Sequence, residues 1–511
     1  MITPGFFGYY NASRGLMATQ NALSIINQNI SNVNTAGYSR QRVDMVAADA
    51  YALPSTSQIA GGLIGQGPVV QQVTRIRDQF LDAQFRISNG KLGSNSSTNS
   101  ALQQVQGIIN EPSTDGISAT LQNFFNAAQA MSQNPETAAT RSSFIQQAID
   151  MTTIFQQQAQ QLADLRKNLV GDALAPGSFA TSQLAINVND VNNKLAAIAT
   201  LSQNIVSIQA SGAQPNDLMD QRDKLLDDLS KLVDIQVTDH NNGQIDVAIA
   251  GQTMIKGVQQ VDSLSVVQNT NVAAPLPDDI PSFVQTVNGG VILNDGSAPD
   301  LGGGIIKGIS DMGGNDPNLS TARGMMGQLD TLLGTIINQL NTLQTGGRDQ
   351  AGNLNPPALF VADPTLNPGQ PLSIFHWTVN PTIIGDPTQV AAAIDDPLSA
   401  AGFAGTGDGR NALAMAQIKT QAFAGLNNAN VMDYFNGVVS KLGIDAQSYE
   451  NTTKAQTSQV NTMDTSRQAV SGVDIDSETI DMMRYQRAFE ATSKSLKTFD
   501  EIMQTIINMI T

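Results

Sequence analysis

The chain has 511 residues, too many for a single hydrophobic core. Lys and Arg number 27 against 44 Asp and Glu, a net charge of −17, which argues against a protein that tracks a nucleic-acid backbone and needs a basic face to do so. Cysteine is absent, so no disulfide, thiolate nucleophile or Cys-ligated metal site can form.

Only 14% of the residues are charged. Asn, Gln, Ser and Thr supply much of the polar surface, which suits packing against sister subunits, where unpaired buried charge is costly. Met1 to Tyr10 has neither the basic flank nor the apolar core of a signal peptide. No run reaches the ~18 apolar residues of a membrane-spanning helix. No membrane insertion is expected, and export, if it occurs, proceeds without a cleaved signal.

In chain order, the first predicted helix carries Leu16, Thr19, Leu23, Ile26, Ile30 and Val33 at alternating steps of three and four. That is a coiled-coil seam, since a period of about 3.5 residues keeps one stripe facing a partner helix. In Asn29 to Gln41, Asn and Ser side chains compete for the backbone and Gly37 can supply positive φ, predicting a capped helix end and an extended turn. Residues 44–70 read as a connector with short strands, given turn signals at Leu53-Pro54, Gly61-Gly62 and Gly67-Pro68. Helical spacing is expected from Val73 through Ile76, Phe80, Leu81 and Phe85. It should break over Gly90–Ser100 and resume at Leu102, Val105, Ile108 and Ile109.

Further helices are predicted at 117–133, 136–169 and 180–210, the second with Pro135 in its first turn. Asp220 to Leu229 reads as a charged helix with apolar Leu225, Leu229 and Leu232, its carboxylates in i,i+4 pairs on a solvated face. At Ile235 the period changes to two: Ile235, Val237, Ile245, Val247 and Ile249 flank the hairpin signal Asn241-Asn242-Gly243. β-like character should continue to about residue 317 and return over 357–390. Between these stretches, Leu329, Leu332, Leu333, Ile336, Ile337 and Leu340 have helical spacing.

Helices then run from Ala412 to the end, with breaks near 425–430 and at Ser471-Gly472. The last repeats the three-four alternation of the first: Met482, Tyr485, Phe489, Thr492, Leu496, Phe499, Met503, Ile506 and Ile510. The simplest partner for each terminal seam is the other. The expected fold class is therefore α+β and multidomain, with the terminal helices (1–50 and 471–511) paired as an antiparallel coiled coil. A long-helix domain is expected over 51–234, 318–350 and 401–470, and a β-rich insert over 235–317 and 351–400. A two-helix arm cannot bury its whole surface, so neighbouring copies must cover the rest.

Residues for chemistry are few. The histidines are His240, in the predicted hairpin turn, and His376, in a predicted strand; neither lies in an H-x-x-x-H pattern. No G-x-S-x-G or Walker-type loop occurs, Gly302-Gly303-Gly304 lacks a following Lys-Ser/Thr, and Trp377 reads as a core residue. No catalytic, cofactor or metal site is expected.

Ser31-Asn32-Val33-Asn34-Thr35-Ala36-Gly37-Tyr38, with Asn29 before it, resembles the N-terminal motif of bacterial flagellar axial proteins. Ser471 to Asp476 and Met483 to Ala491 are similar to the C-terminal segment of the same proteins. Asp220-Gln221-Arg222-Asp223, Thr378-Val379-Asn380-Pro381 and Gly407 to Ala414 resemble the hook-associated protein 1 family in particular. The resemblance implies a structural subunit at the hook-filament junction. Its terminal helices would form the innermost layer, and the β-rich insert would be an outer domain. Implied partners are copies of itself around the flagellar axis, hook protein below, the second junction protein above, and a small export chaperone on the C-terminal helix. It also implies an extracellular place reached by the flagellar export apparatus. Hook protein, and a secreted adhesin or translocator with terminal coiled coils, are the alternatives; the internal helical motifs argue against hook protein.

Overall fold

The structure, a computed structural model, describes residues 4–52, 63–171, 180–268, 282–286, 301–313, 321–363, 373–396, 398, 402 and 404–510. The chain divides into two compact units. One comprises Met1–Gly90, Asn192–Ser263 and Gln456–Thr511; the other comprises Lys91–Val191 and Leu264–Ala455.

The first unit holds both ends of the chain. Helix α1 (Pro4–Ser31) leads into strand β1 (Gln41–Ala47), which pairs antiparallel with β4 (Pro68–Arg75) from Gln41↔Arg75 to Ala47↔Pro68. Between them β2 (Tyr51–Ala52) pairs with β3 (Leu63–Ile64). Helix α2 (Gln79–Ile109) begins in this unit, and α5 (Gln183–Ala210) ends in it. Next come α6 (Asn216–Leu232) and an antiparallel sheet ordered β5 (Ile235–Asp239), β6 (Ile245–Ile249), β7 (Gln252–Lys256), β8 (Gln259–Gln260). The predicted hairpin closes with positive φ at Asn241 and Gly243. Arg222 of α6 clasps it, its Nη1 donating to the Gly243 carbonyl at 2.7 Å. Ile235, Ile245, Val247 and Ile249 are buried, as the alternation predicts.

The second unit has the larger apolar core. It contains α3 (Ile117–Gln133), α4 (Ala138–Val170), the β9 (Leu264–Gln268) and β10 (Ser282–Thr286) pair, and α7 (Ile305–Gly313). Helix α8 (Ala322–Gly346) follows, with β11 (Gly347–Arg348), β12 (Phe360–Ala362), β13 (Trp377–Val379), α9 (Pro381–Gly385), β14 (Ala393–Ile394) and α10 (Arg410–Gln417). Phe124 stacks edge-on against Phe125 at 5.3 Å and tilts onto Phe144 at 5.1 Å. Leu329, Leu332, Leu333, Ile336, Ile337 and Leu340 of α8 are all buried. Helix α11 (Val431–Ser471) returns to the first unit, and α12 (Ile475–Ile510) ends the chain.

Five expectations need correction. Val73 lies in β4, and α2 runs without a break through Gly90–Ser100. The small residues there serve close packing: Gly93 is buried, and any side chain on Gly308 of α7 would strike the Ser94 carbonyl, Ser97 and Thr98. Residues 305–313, inside the stretch expected to be β-like, form a helix. Trp377 is half-buried rather than a core residue. Helix α4 starts at Ala138, because the Pro135 carbonyl is taken by Arg141 Nε at 2.6 Å.

Candidate functional site at the paired termini

Helices α1 and α12 run antiparallel in one constant register. A Cβ on Gly8 would enter the Phe499 ring, and one on Gly15 would lie 3.3 Å from Thr492 Cγ2. Asn29 Nδ2 donates to Glu478 Oε2 at 3.0 Å. Moving seven residues up α1, from 8 to 15, means moving seven down α12, from 499 to 492; fourteen more reach 29 and 478. The pairing is thus heptad-spaced. The same step sets Ala22, 2% exposed, opposite Tyr485. Small residues on α1 repeatedly receive larger ones from α12.

This alters the seam on one side. On α1 the buried positions are Gly15, Ala18, Thr19, Ala22, Ile26 and Asn29. Leu16, Leu23, Ile30 and Val33 are half-buried and flank that stripe. On α12, Met482, Tyr485, Phe489, Thr492, Leu496, Phe499 and Met503 are all half-buried on the face toward α1. Ile506 is 45% exposed, and the Ile510 side chain lies outside the described ones. Between Ile475 and Met509 the one fully buried side chain is Glu478.

Asn29 organises the base of the arm. Its Nδ2 donates to Glu478 and to the Gln41 carbonyl (2.9 Å), while its Oδ1 accepts from Tyr38 Oη (2.8 Å) and the Gln41 amide (3.0 Å). The other Glu478 oxygen takes Arg40 Nε at 2.6 Å. Ser39 gives its amide and hydroxyl to Asp220, at 2.9 and 2.7 Å.

The remaining motif residues end the helix. Ser31 Oγ and Asn32 Nδ2 donate to the carbonyls of Asn27 and Gln28, Thr35 Oγ1 donates to Asn32 Oδ1, and Gly37 has φ +87. Asn34 is exposed. Burial, with Asp217, Asp220 and Glu478 nearby, pushes the Tyr38 phenol well above its ordinary value. On the α12 side, Asp474 caps the helix by accepting from the Asp476 amide at 3.1 Å and Ser477 Oγ at 2.6 Å.

Below this point the carboxylates of Asp220, Asp223 and Asp227 do not lie on a solvated face. Asp223 meets Arg75 at 2.8 Å, Arg77 at 3.3 Å and Arg86 at 3.6 Å. Asp227 takes Arg86 at 2.8 Å and Arg467 at 2.5 Å, and Arg467 stacks on Phe85. Burial alone would raise the Asp223 pKa, but Arg77, Arg75 and Arg86 outweigh it and hold the carboxyl below its usual range. Only Lys224–Asp228 is the expected exposed i,i+4 pair. The arginines come from β4, the start of α2 and the end of α11, distances in sequence that helical periodicity cannot see.

His240 is half-exposed and 3.1 Å from Asp246; His376 is buried in a turn with Ser373 Oγ at 3.2 Å. Among the described residues no cluster of three or more His, Asp or Glu could hold a metal, and no helix is long and apolar enough to cross a membrane.

The two ends of the chain are thus paired, with buried polar groups at the base of the pair. The model of the flagellar hook-associated protein FlgK helical domain matches residues 102–360, half of the chain, and the chain belongs to that family. Models of the flagella basal body rod protein and of the flagellar basal body rod FlgEFG protein C-terminal match residues 10–38 and 465–509, the two paired ends. The chain is 28% identical to flagellar hook-associated protein 1 of Bacillus subtilis, over 99% of both chains. It is 26% identical to that of Salmonella typhimurium, over 98% of this chain and 99% of the other. Its fold is similar to that of the flagellar hook junction protein FlgK from Burkholderia pseudomallei, with a TM-score of 0.60 and 18% identity over 76% of this chain and all of that one. The chain is a component of the bacterial flagellum.

Proposed function

We propose that this subunit joins the hook to the filament by assembling through its paired terminal helices around the flagellar axis. The observation that carries the mechanism is the heptad register of α1 on α12, in which Gly8, Gly15 and Asn29 receive Phe499, Thr492 and Glu478. One face of α12 is thereby used, while Ile480, Met483, Ile502, Ile507 and Met509 remain at least 48% exposed. Neighbouring copies are the natural cover for that surface. The terminal pair forms the inner layer, with the long helices and the β-rich segments outside it. Hook protein lies below and the second junction protein above. Until assembly, a small chaperone covers the C-terminal helix, and the chain is exported to the cell exterior without cleavage. Its role is structural rather than catalytic.

A strain carrying Phe499→Asp tests this. Hooks without filaments, filament protein in the medium and loss of swimming are expected. Normal swimming by that strain contradicts the proposal.

A further inference from the structure

We propose that Glu478, held by Asn29 and Arg40, selects the heptad in which α12 pairs with α1. The inference deepens the assembly reading and draws on it for the importance of the arm. The rest of the seam does not choose a register. Gly8, Gly15 and Ala22 recur every seven residues on α1, and Tyr485, Thr492 and Phe499 every seven on α12. A slip of one heptad, about 10 Å at 1.5 Å per residue, again sets a larger side chain against a small one.

At the base the match is particular. Glu478 is 1% exposed, and its two oxygens take different donors, Asn29 Nδ2 at 3.0 Å and Arg40 Nε at 2.6 Å. Slipping α12 outward by one heptad puts Glu478 opposite buried Ala22, which offers no donor, and a buried carboxylate without a partner is strongly disfavoured. Slipping it inward sets Tyr485 against Asn29 and carries Glu478 past Ser31, where α1 has ended. A polar pair in an apolar seam thus penalises every register but one.

The chain has no cysteine, so reporter pairs can be placed cleanly. Gly15→Cys is combined in the full-length chain with Tyr485→Cys, Thr492→Cys or Phe499→Cys, and each pair is oxidised. With Glu478 and Asn29 intact, only the Thr492 pair cross-links, because a disulfide needs Cα atoms within about 7 Å. With Asn29→Leu and Glu478→Leu together, the arm stays helical and the Tyr485 or Phe499 pair appears at about a tenth or more of the native yield. Glu478→Gln keeps one acceptor for Asn29 but turns its amide NH2 toward Arg40 Nε, so it gives a slipped pair in smaller yield than the double-leucine variant. Exclusive cross-linking of the Thr492 pair in the double-leucine variant overturns the inference, as does loss of all three cross-links. Swimming by a Phe499→Asp strain defeats the assembly reading and leaves the register result untouched, so the two fail separately.

Discussion

Phe499 of α12 lies against Gly8 of α1 so closely that even a methyl group at position 8 would overlap its ring. The contact sets the distance between the two ends of the chain. Gly8→Ala has two opposing effects. Replacing a helical glycine gains about 0.5–1 kcal/mol of helix propensity, whereas overpacking costs about 1–3 kcal/mol. The atoms struck are the far end of the half-buried Phe499 side chain, which can swing partly aside, so the arm should weaken by at most about 1 kcal/mol. Faster amide exchange over residues 485–499, with the second unit unchanged, is the expected result; equal exchange rates would show that the ring is not held there.

Tyr38→Phe removes the hydroxyl that donates to Asn29 Oδ1 at 2.8 Å and leaves that oxygen the Gln41 amide. Because the acceptor keeps one partner, the loss should be modest, about 1 kcal/mol. Denaturant unfolding of the first unit measures it. Asn29→Ala strips donors from Glu478 and the Gln41 carbonyl together and should cost more.

Asp223 gives a pH dependence of known sign. Its folded pKa is depressed by three arginines despite burial. Its stabilising contribution is therefore fully present above the unfolded value of about 3.9 and is lost as pH falls through the folded value. Asp223→Asn should lower stability at pH 7 and make the fall in stability below about pH 4 shallower than in the unaltered chain. Thermal melts across that range test it, and identical acid profiles would rule out the network as its cause.

In the second unit, Arg141 is 1% exposed and donates to the Pro135 and Val390 carbonyls at 2.6 and 2.5 Å. Its hydrogen-bond partners are carbonyls, and burial pulls its pKa down. Arg141→Met keeps the volume but takes the Arg141 donor from the Pro135 carbonyl, while the Val390 carbonyl keeps the Ala392 amide at 3.1 Å, a loss of about 1–3 kcal/mol. A lowered melting temperature confined to the second unit is expected.

Large apolar residues made one side of the arm legible in the sequence. Met482, Tyr485, Phe489, Thr492, Leu496, Phe499 and Met503 are all half-buried, and Thr492 and Phe499 lie against Gly15 and Gly8. The matching stripe on α1 keeps Thr19 and Ile26 and otherwise turns toward Gly8, Gly15, Ala18 and Ala22, which hydropathy does not mark. Glycine and alanine at steps of seven were the available signal. Glu478 was invisible for the opposite reason: a carboxylate in an amphipathic helix looks solvated until Asn29 and Arg40, more than 430 residues away, are placed beside it. The same holds for Asp223 and Asp227, whose arginines lie far off in sequence. Long helices and the Asn241–Gly243 hairpin depend on local spacing and were read directly.

The central claim is that the two ends of the chain lie side by side in this register. Gln20 and Arg487 are both exposed and occupy equivalent heights on α1 and α12, which suits them to spin labels. With helix axes about 8–10 Å apart, pulsed dipolar measurement on assemblies in which doubly labelled subunits are diluted in unlabelled ones should give one narrow distribution below about 25 Å. A broad distribution, or a distance beyond about 40 Å, the length of α1 at 1.5 Å per residue, would contradict the account.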